Sequence, residues 1–460
     1  MTDLADLSAA EMLAAYAGGS LSPVAVTEAV IARIEAWEPR IAALYAYDPE
    51  GALAQAAASE ARWRNGQALA LDGVPCTIKE NIATKGTSVP LGTAARVLAA
   101  AAEDAPPAAR LREAGCVILA KTTMPDYGML SSGLSSFHKL ARNPFDLTKN
   151  PGGSSAGAAA AGAAGYGPLH VGTDIGGSIR LPAGWCGLAG LKPSFGRVPI
   201  DPSYYGRAAG PMTRTVTDAA LMMRELSKPD ARDGMSLPPH EIDWLSLDIE
   251  LKGVRLGLQL EAGIGLPVEP QVRAAVEAAA NAFAAAGAVV EPAPAFLTRE
   301  MLDGLDDFWR QRAWADIGGL PQTRRAKILP YILAWAERGA NLSGERVYRG
   351  MSQMLAIREA ALKAGAPFDF VLSPVSPVPS FAAELASPLN DPERPFEHIV
   401  FTVAANMSDQ PSISVHAGMT AEGLPIGLQI TGRRFDDLGV LRMAKAWEGL
   451  RGYGPDWPRP

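Results

Sequence analysis

The sequence predicts an α/β fold, a single large domain in which a mixed, largely parallel twisted β-sheet is covered by helices on both faces. The chain has 460 residues, of which 48% are hydrophobic and 20% charged, so it can bury a large core. Apolar residues recur at helical spacing in several long segments, and short apolar runs lie between these segments. Strands that alternate with helices are typical of a sheet packed between helical layers.

Amphipathic periodicity predicts helices in six segments of the chain. They are residues 10–16, 23–37, 52–64, 270–286, 346–364 and 436–450. Short apolar runs predict buried strands at residues 74–78, 117–120, 254–260, 370–373, 412–415 and 426–430. No segment repeats at a fixed period, which excludes solenoids and propellers.

One change in composition divides the chain, at residues 228–250, which are rich in proline and aspartate. Such composition is typical of a surface loop, and we interpret it as an excursion within one domain that spans 1–460. We expect this domain to consist of a helical N-terminal region (about 1–65), a Gly/Ser-rich core (about 66–227) and a second half (about 250–460). The second half would complete the sheet and any substrate pocket.

Charge and cysteine content limit the partners and the compartment. Lysine and arginine number 42 against 49 acidic residues, so the net charge is −7, which argues against a nucleic-acid partner. No run of 18 or more strongly apolar residues predicts a membrane helix, and the acidic first residues lack the basic region of a secretory signal. Cys76, Cys116 and Cys186 have neither zinc nor C-x-x-C spacing and predict buried free thiols. We therefore expect a soluble cytoplasmic protein.

Two short motifs match other hydrolases but lack the required context. Gly153-Ser154-Ser155-Ala156-Gly157 fits the G-x-S-x-G nucleophile elbow, yet an elbow follows a buried strand and residues 142–151 have loop composition. No histidine has a context that marks it as the partner of such a serine. Ser136-Phe137-His138-Lys139 fits S-x-x-K, but its S-D-N and K-T-G companions are missing. P-loop and H-E-x-x-H motifs are absent from the sequence.

Three segments carry residues suited to chemistry. Lys79 lies in the segment 71–82 at the end of an apolar strand, where a buried ammonium would be costly unless paired or neutral. Residues 150–157 form a Gly/Ser-rich block that is followed by small residues up to position 165, and glycine permits unusual backbone conformations. Small residues before Ser178 expose several N–H groups, a nest that can stabilise an oxyanion. Taken alone, each segment also has an ordinary interpretation. The lysine could leave the strand into solvent, the Gly/Ser-rich block could be a flexible loop before a buried helix, and the residues before Ser178 could form a tight turn.

Together and in this order, the three segments resemble the amidase signature family of serine hydrolases, whose hallmark is a Gly/Ser-rich block with a Ser-cisSer-Lys triad. The resemblance continues through residues 182–198, and Gly423-Leu424-Pro425-Ile426-Gly427-Leu428-Gln429-Ile430 is similar to the closing strand of the family. One departure is Ala158, where many members carry a polar residue, and we expect it to affect only local helix packing. The resemblance implies the amidase signature fold and amide hydrolysis that needs no metal or organic cofactor.

The resemblance also implies a role for each residue that matches the motifs. Ser178 corresponds to the nucleophile, Ser154 to the bridging serine on a cis peptide bond, and Lys79 to the catalytic base. Lys79 can accept a proton only if its amine is neutral, so burial must lower its pKa. Ser154 would carry the proton between Lys79 and Ser178, and attack by Ser178 would give an acyl-enzyme. The oxyanion would be bound by the N–H groups of Ile175, Gly176 and Gly177.

The substrate is predicted from the residues that would form the pocket wall. Tyr127 and Met129 are the candidate pocket residues, and Phe308, Trp309 and Trp314 offer further apolar surface. Such a wall suits an aryl or short alkyl amide as the small-molecule substrate. The alternative interpretation is that these residues belong to the hydrophobic core.

Two functions follow from the resemblance. We expect a free-standing amidase that acts on linear C–N bonds other than peptide bonds; a homodimer is left open. The alternative is the glutaminase-type amidase subunit of a tRNA-dependent amidotransferase, which works as part of a larger complex of several proteins. Members of that branch carry a run similar to Gly-Tyr-Tyr-Asp-Ala-Tyr-Tyr before a long helix, whereas this chain reads Ser343-Gly344-Glu345-Arg346-Val347-Tyr348-Arg349-Gly350. A non-catalytic relative is disfavoured because all three triad positions are filled.

Overall fold

The centre of the molecule is one mixed β-sheet of eleven strands in a computed structural model that describes residues 3–460. The first half of the chain contributes β1 (Leu44–Tyr45), β2 (Pro75–Lys79), β3 (Val117–Thr122), β4 (Leu169–Asp174), β5 (Ala189–Lys192) and β6 (Ala208–Thr213). The second half contributes β7 (Arg255–Leu258), β8 (Val289–Pro292), β9 (Phe370–Pro374), β10 (Ser412–Met419) and β11 (Pro425–Gly432). Their spatial order is β1-β3-β2-β4-β6-β5-β10-β11-β9-β7-β8, so the pairing of β5 with β10 joins the two halves.

The sheet is mixed, as predicted, but fewer of its strand pairs are parallel than expected. Parallel pairing is confined to β2 with β3 and β4, and to β7 with β8 and β9. Every pair from β4 through β6, β5, β10 and β11 to β9 is antiparallel. The reason lies in the connections: no helix separates β5 from β6 or β10 from β11, and a parallel pair needs a long crossover.

Helices cover both faces of the sheet. In the first half they are α1 (Ala9–Ala17), α2 (Pro23–Ile41), α3 (Pro49–Arg64), α4 (Pro106–Glu113), α5 (Ala156–Ala164), α6 (Arg180–Trp185) and α7 (Val216–Leu226). In the second half they are α8 (Pro270–Ala285), α9 (Arg299–Ile317), α10 (Gln322–Arg325), α11 (Pro330–Glu337), α12 (Gly344–Gly365), α13 (Val403–Met407) and α14 (Asp437–Arg451). All six segments predicted to be helical overlap α1, α2, α3, α8, α12 or α14.

Local sequence explains where several of these helices begin. The Ser8 hydroxyl accepts the N–H of Glu11, and the Glu11 carboxylate accepts the N–H of Ser8, a capping box at the start of α1. Ser22 caps α2 before Pro23, and Asp436 caps α14. These caps satisfy N–H groups that have no partner within the helix.

The apolar side chains form one large cluster around the sheet and a second one beside it. The first includes residues of α2, α3, α7, α8 and α14, and the second is built largely from α9, α11 and α12. Residues 228–250 contain no helix or strand, and the buried side chains of Trp244 and Leu247 attach this segment to the domain. The molecule is therefore a single α/β domain.

The cysteines are buried free thiols, as predicted. Cys76, Cys116 and Cys186 form no disulfide, and each is nearly inaccessible to solvent. Among residues 3–460, no helix is both long enough and apolar enough to cross a bilayer.

Candidate active site

The Gly/Ser-rich block lies directly against the end of β3 because its glycines permit close approach of backbones. The Gly157 N–H donates to the carbonyl of Thr123 at 3.0 Å. A Cβ atom on Gly157 would lie 2.1 Å from the carbonyl oxygen of Ala43 and 2.4 Å from the Thr123 nitrogen. The Gly153–Ser154 peptide bond is cis, which is the geometry that the resemblance implies for Ser154.

Lys79, the last residue of β2, points into the molecule and is fully buried. Its amine donates to the hydroxyl of Ser154 at 2.8 Å and to that of Ser155 at 3.0 Å. The carbonyl of Thr173 lies 3.4 Å from the same nitrogen. The alternative in which Lys79 leaves the strand into solvent is therefore excluded.

The environment of Lys79 favours a neutral amine. Burial lowers its pKa well below the ordinary value for lysine, and the positive charge of Arg207 lowers it further. The charges of Asp174 and Glu80 oppose this shift, but within residues 3–460 no carboxylate lies within 4.0 Å of the amine. The carboxylate of Glu80, the residue after β2, instead accepts the N–H of Gly92.

Ser178 lies in the turn between β4 and α6, and Asp174 organises that turn. The Asp174 carboxylate accepts the N–H groups of Gly177 at 2.8 Å and of Ile179 at 3.0 Å. Gly177 has a φ of +129°, and a Cβ atom there would lie 2.5 Å from the Thr402 hydroxyl, so this position requires glycine. The Ser155 N–H donates to the Ser178 carbonyl at 3.2 Å, which joins the turn to the Gly/Ser block.

Arg180, whose role the sequence leaves open, forms a fully buried ion pair with Asp174. Its Nη2 and Nε atoms lie 2.9 Å and 3.0 Å from the two carboxylate oxygens. Burial alone would raise the pKa of Asp174, but the charge and hydrogen bonds of Arg180 hold it well below its usual range. Arg180 also donates to the Thr402 carbonyl and to Asn406 and Gln429, so it fixes the Ser178 turn against the second half of the chain.

Two adjacent cavities meet at the half-buried Ser178. The larger, which we call the apolar cavity, has about 490 Å³ of open space. Its walls are largely apolar and include Met129, Leu130, Ile175, Leu181, Trp309, Phe396 and Ile399, together with the polar side chains of Ser131, Tyr331, Ser387 and His398. The smaller, the arginine cavity, has about 310 Å³. Its walls include Asn81, Tyr127, Met129, Ser154, Thr173, Asp174, Tyr204, Arg207 and Arg312.

The structure brings together most of the residues that the sequence singles out. Lys79 and Ser154 are in contact, and Ser178 faces the same arginine cavity as Ser154. Ile175 and Gly176 line the apolar cavity, whereas the N–H of Gly177 is directed to Asp174. Of the residues predicted to form the pocket wall, Tyr127 lines the arginine cavity, Met129 lines both cavities and Trp309 lines the apolar one. Phe308 and Trp314 line neither cavity and pack against the second apolar cluster.

Sequence reasoning missed the polar side chains of the arginine cavity. Asn81 follows Lys79 closely, and its amide donates to the Thr173 hydroxyl at 3.0 Å. Tyr204 and Arg207 come from the loop before β6, and Arg312 comes from α9. No periodicity or spacing marks these last three, since only the folded chain brings them to Ser178.

The alternative catalytic arrangements find no support in the geometry. Residues 123–152, which precede the G-x-S-x-G match, contain no strand, so the context of a nucleophile elbow is missing. His170 pairs with the Thr77 hydroxyl, and no histidine among residues 3–460 hydrogen bonds to Ser154, Ser155 or Ser178. In the same part of the chain, no group of three or more His, Cys, Asp or Glu side chains is placed to hold a metal ion.

Comparison with known proteins agrees with this geometry. A family model described as Amidase matches residues 25–441. A glutamyl-tRNA(Gln) amidotransferase subunit of Myxococcus xanthus (strain DK1622) is 35% identical over 487 aligned positions, which cover 97% of each chain. The corresponding subunit of Chloroflexus aggregans (strain MD-66 / DSM 9485) is 35% identical over 498 positions and covers 99% of this chain and 98% of its own.

Solved structures give the same family from a different set of relatives. A bacterial aryl acylamidase of the amidase signature family superposes with a TM-score of 0.89 at 30% identity, over 97% of this chain and 96% of its own. The peptide amidase from Stenotrophomonas maltophilia superposes with a TM-score of 0.85 at 26% identity, over 99% of this chain and 98% of its own. This fold and site define an enzyme that hydrolyses amide C–N bonds. The chain belongs to the amidase signature family.

Proposed function

We propose that this chain is a free-standing amidase that hydrolyses a small or aryl carboxylic amide, other than a peptide bond, through an acyl-enzyme on Ser178. The observation that carries the proposal is the apolar cavity beside Ser178. Its apolar walls, including Trp309, Phe396 and Ile399, would bury an aryl or alkyl acyl group. The superposition with an aryl acylamidase supports the same substrate class.

In the proposed mechanism, Lys79 is the base and Ser154 carries the proton. A serine hydroxyl is a weak nucleophile until a base accepts its proton, and the neutral amine of Lys79 lies 2.8 Å from the Ser154 hydroxyl. As the Ser178 oxygen attacks the carbonyl carbon, its proton passes to Ser154 and that of Ser154 to Lys79. The proton then returns through Ser154 to the leaving nitrogen, and water hydrolyses the acyl-enzyme.

The developing oxyanion would be bound by backbone N–H groups of the Ser178 turn. The N–H groups of Ile175 and Gly176 have no acceptor among residues 3–460, so both are available to a substrate. The N–H of Gly177 would have to release Asp174 before it could join them. We therefore assign the main part of this role to Ile175 and Gly176, with Gly177 as a third donor.

A second candidate function is the amidase subunit of a tRNA-dependent amidotransferase, and the identity with the amidotransferase subunits of Myxococcus xanthus and Chloroflexus aggregans favours it. That function would use glutamine and require partner subunits. The segment that opens α12, residues 343–350, lacks the tyrosine-rich run of that branch. The apolar cavity also suits a hydrophobic acyl group better than glutamine.

A fluorophosphonate label and an amide panel test the proposal on the purified full chain. We expect one covalent adduct, located on Ser178 by mass spectrometry, and its loss in Ser178→Ala with a fall of several orders of magnitude in turnover. Aryl amides should be hydrolysed without tRNA or another protein. An adduct on Ser154 or Ser155 would contradict the assigned nucleophile. Glutamine hydrolysis that appears only when the other amidotransferase subunits are present would establish the second candidate instead.

A further inference from the structure

Two guanidinium groups line the arginine cavity, and both lie against the same aromatic ring. The Cζ atom of Arg207 lies 5.1 Å from the centroid of the Tyr204 ring, and that of Arg312 lies 4.6 Å from the same centroid. Arg207 is only 4% exposed, and Arg312 is half-buried. Both line the cavity together with Ser178, so they lie beside the bond that the enzyme would cleave.

Neither guanidinium has a carboxylate partner. Within residues 3–460, no Asp or Glu oxygen lies within 4.0 Å of either group. Arg207 donates to the Pro202 carbonyl, but its buried Nε has no acceptor, and the side-chain contact of Arg312 is the Met129 sulfur at 3.9 Å. An unpaired guanidinium in a buried site is costly.

Other buried arginines of the chain do have acidic partners. Arg180 pairs with Asp174 at 2.9 Å, and Arg197 pairs with Asp437 at 3.0 Å. Arg207 differs: burial lowers its pKa and the neighbouring charge of Arg312 acts in the same direction, although Tyr204, Asp201 and Asp233 oppose the shift. A bound anion would offset both effects. The carboxylate of Asp174 also lines this cavity, but it is paired with Arg180. The arginine cavity therefore suits a negatively charged group from a bound molecule.

The position of Ser154 determines which part of the substrate enters which cavity. Ser154 lines the arginine cavity and not the apolar one. In the proposed mechanism, on which this step rests, Ser154 returns the proton to the leaving nitrogen, so that nitrogen must lie on the Ser154 side. The amine part of the substrate then extends into the arginine cavity, and the acyl part occupies the apolar cavity.

We propose that the substrate is an N-acyl amino acid, or a related amide whose amine part carries a carboxylate, and that Arg207 and Arg312 bind this carboxylate. The bond between the Ser178 oxygen and the acyl carbon forms as the C–N bond breaks, and the nitrogen takes a proton from Ser154. Water then cleaves the acyl ester. The products are a carboxylic acid and a free amino acid, and one water molecule is consumed.

Three substrates with an aromatic group test the proposal. N-benzoylglycine carries the carboxylate on the amine part, N-benzoylethanolamine replaces it by a hydroxymethyl group, and succinanilic acid carries it on the acyl part. We expect the wild-type enzyme to favour N-benzoylglycine over N-benzoylethanolamine in kcat/KM by roughly 30-fold or more, the range for a buried charged hydrogen-bonded pair. Equal rates for these two, or a preference for succinanilic acid or glutamine, would overturn it.

Variants assign the preference to the two arginines. Arg207→Met and Arg312→Met should each reduce the ratio of the two kcat/KM values towards one, mainly through a higher KM for N-benzoylglycine. Arg346→Met is the control, because Arg346 is exposed, pairs with Asp307 and lies outside both cavities, so it should keep the wild-type ratio. A wild-type ratio in both cavity variants would overturn the assignment.

Fluorophosphonate labelling separates failure of this inference from failure of the proposed function. The label reacts with an activated serine and needs no carboxylate. If Ser178 is labelled but the enzyme shows no preference for the carboxylate, the amidase assignment stands and the inference is wrong. If Ser178 is not labelled, the proposed function itself is wrong.

Discussion

At the scale of single residues, Lys79 connects burial to reactivity. The amine is surrounded by the hydroxyls of Ser154 and Ser155 and the carbonyl of Thr173, none of which neutralises a positive charge. A lysine in water has a pKa of about 10.4 and is almost fully protonated at neutral pH. Burial at the end of β2 disfavours that charged form, so the fold itself stabilises the base that the proposed mechanism needs.

The pH dependence of catalysis should follow the neutral form of Lys79. Its pKa is lowered, and the protonated amine cannot accept a proton, so kcat/KM should be lost as pH falls through that pKa. At higher pH the rate constant should level off, with a midpoint well below about 10.4. Lys79→Arg should be inactive throughout, since a guanidinium stays protonated. A pH–rate profile for Lys79→Ala that keeps the ascending limb and most of the rate would contradict the assignment.

Lys121 provides the matched control for this profile. It is also buried, and burial lowers its pKa to about 8, but its amine donates to the Ile82 carbonyl and lies outside both cavities. Lys121→Met should therefore retain the wild-type ascending limb. Arg207→Met should instead move the limb to higher pH, because removal of that positive charge eases protonation of Lys79.

At the scale of elements, α5 supports the site through its lack of side chains. Its nine residues are all alanine or glycine, and all are buried. Small residues let the helix backbone pack closely beside the end of β3, where the Gly157 N–H donates to the Thr123 carbonyl. Since α5 begins directly after Ser155, its position determines where Ser154 and Ser155 meet Lys79.

Two glycine-to-alanine changes, both inside helices, should have opposite effects. In Gly157→Ala the new methyl would meet two backbone atoms at 2.4 Å or less, and backbone cannot move aside as a flexible side chain can. We expect the free energy of unfolding to fall by about 1–3 kcal/mol or more. Gly449 in α14 is exposed with no atom within 4 Å of the new methyl, so Gly449→Ala should gain about 0.5–1 kcal/mol. Denaturant unfolding measures both, and equal stability of the two variants would contradict this account.

At the scale of the whole molecule, the sequence predicts the elements that have a clear period and misses those whose environment decides their structure. Apolar patterns predict α2, α3, α8, α12 and α14 and the strand that carries Lys79, but they miss the 19-residue helix α9 and the strand β4. The strands β5 and β6 are also missed, because Ala-Gly-Leu-Lys and Ala-Ala-Gly-Pro-Met-Thr have low β-propensity. They form strands because they lie in the middle of the sheet with partners on both sides.

Side-chain direction limits prediction of the site in the same way. Motif resemblance selects Lys79, Ser154 and Ser178 as candidates, since the Gly/Ser-rich segments are local in sequence. Phe308 and Trp309 are neighbours in α9 and therefore point in different directions, and only Trp309 faces the apolar cavity. Choosing between them requires the orientation of α9 in the folded chain.

The two halves of the chain should remain one functional unit when the connection between them is cut. Pro238, Pro239 and His240 are exposed and lie in the irregular segment 228–250, so a protease site inserted after Pro239 should be cleaved without unfolding the domain. The halves share one sheet through β5 and β10, and Arg180 reaches from the Ser178 turn to Thr402. Those buried contacts do not depend on covalent continuity at position 239.

We therefore expect the cleaved protein to elute as one species with both fragments present, and to keep fluorophosphonate labelling at the level of the uncut insertion variant. Each half produced alone should fail to label. The first half holds Lys79, Ser154 and Ser178 but would lose the second-half groups that bind Arg180, leaving part of its buried guanidinium without acceptors. Native separation of the cleaved fragments, or normal labelling of the first half alone, would show that the halves are independent units.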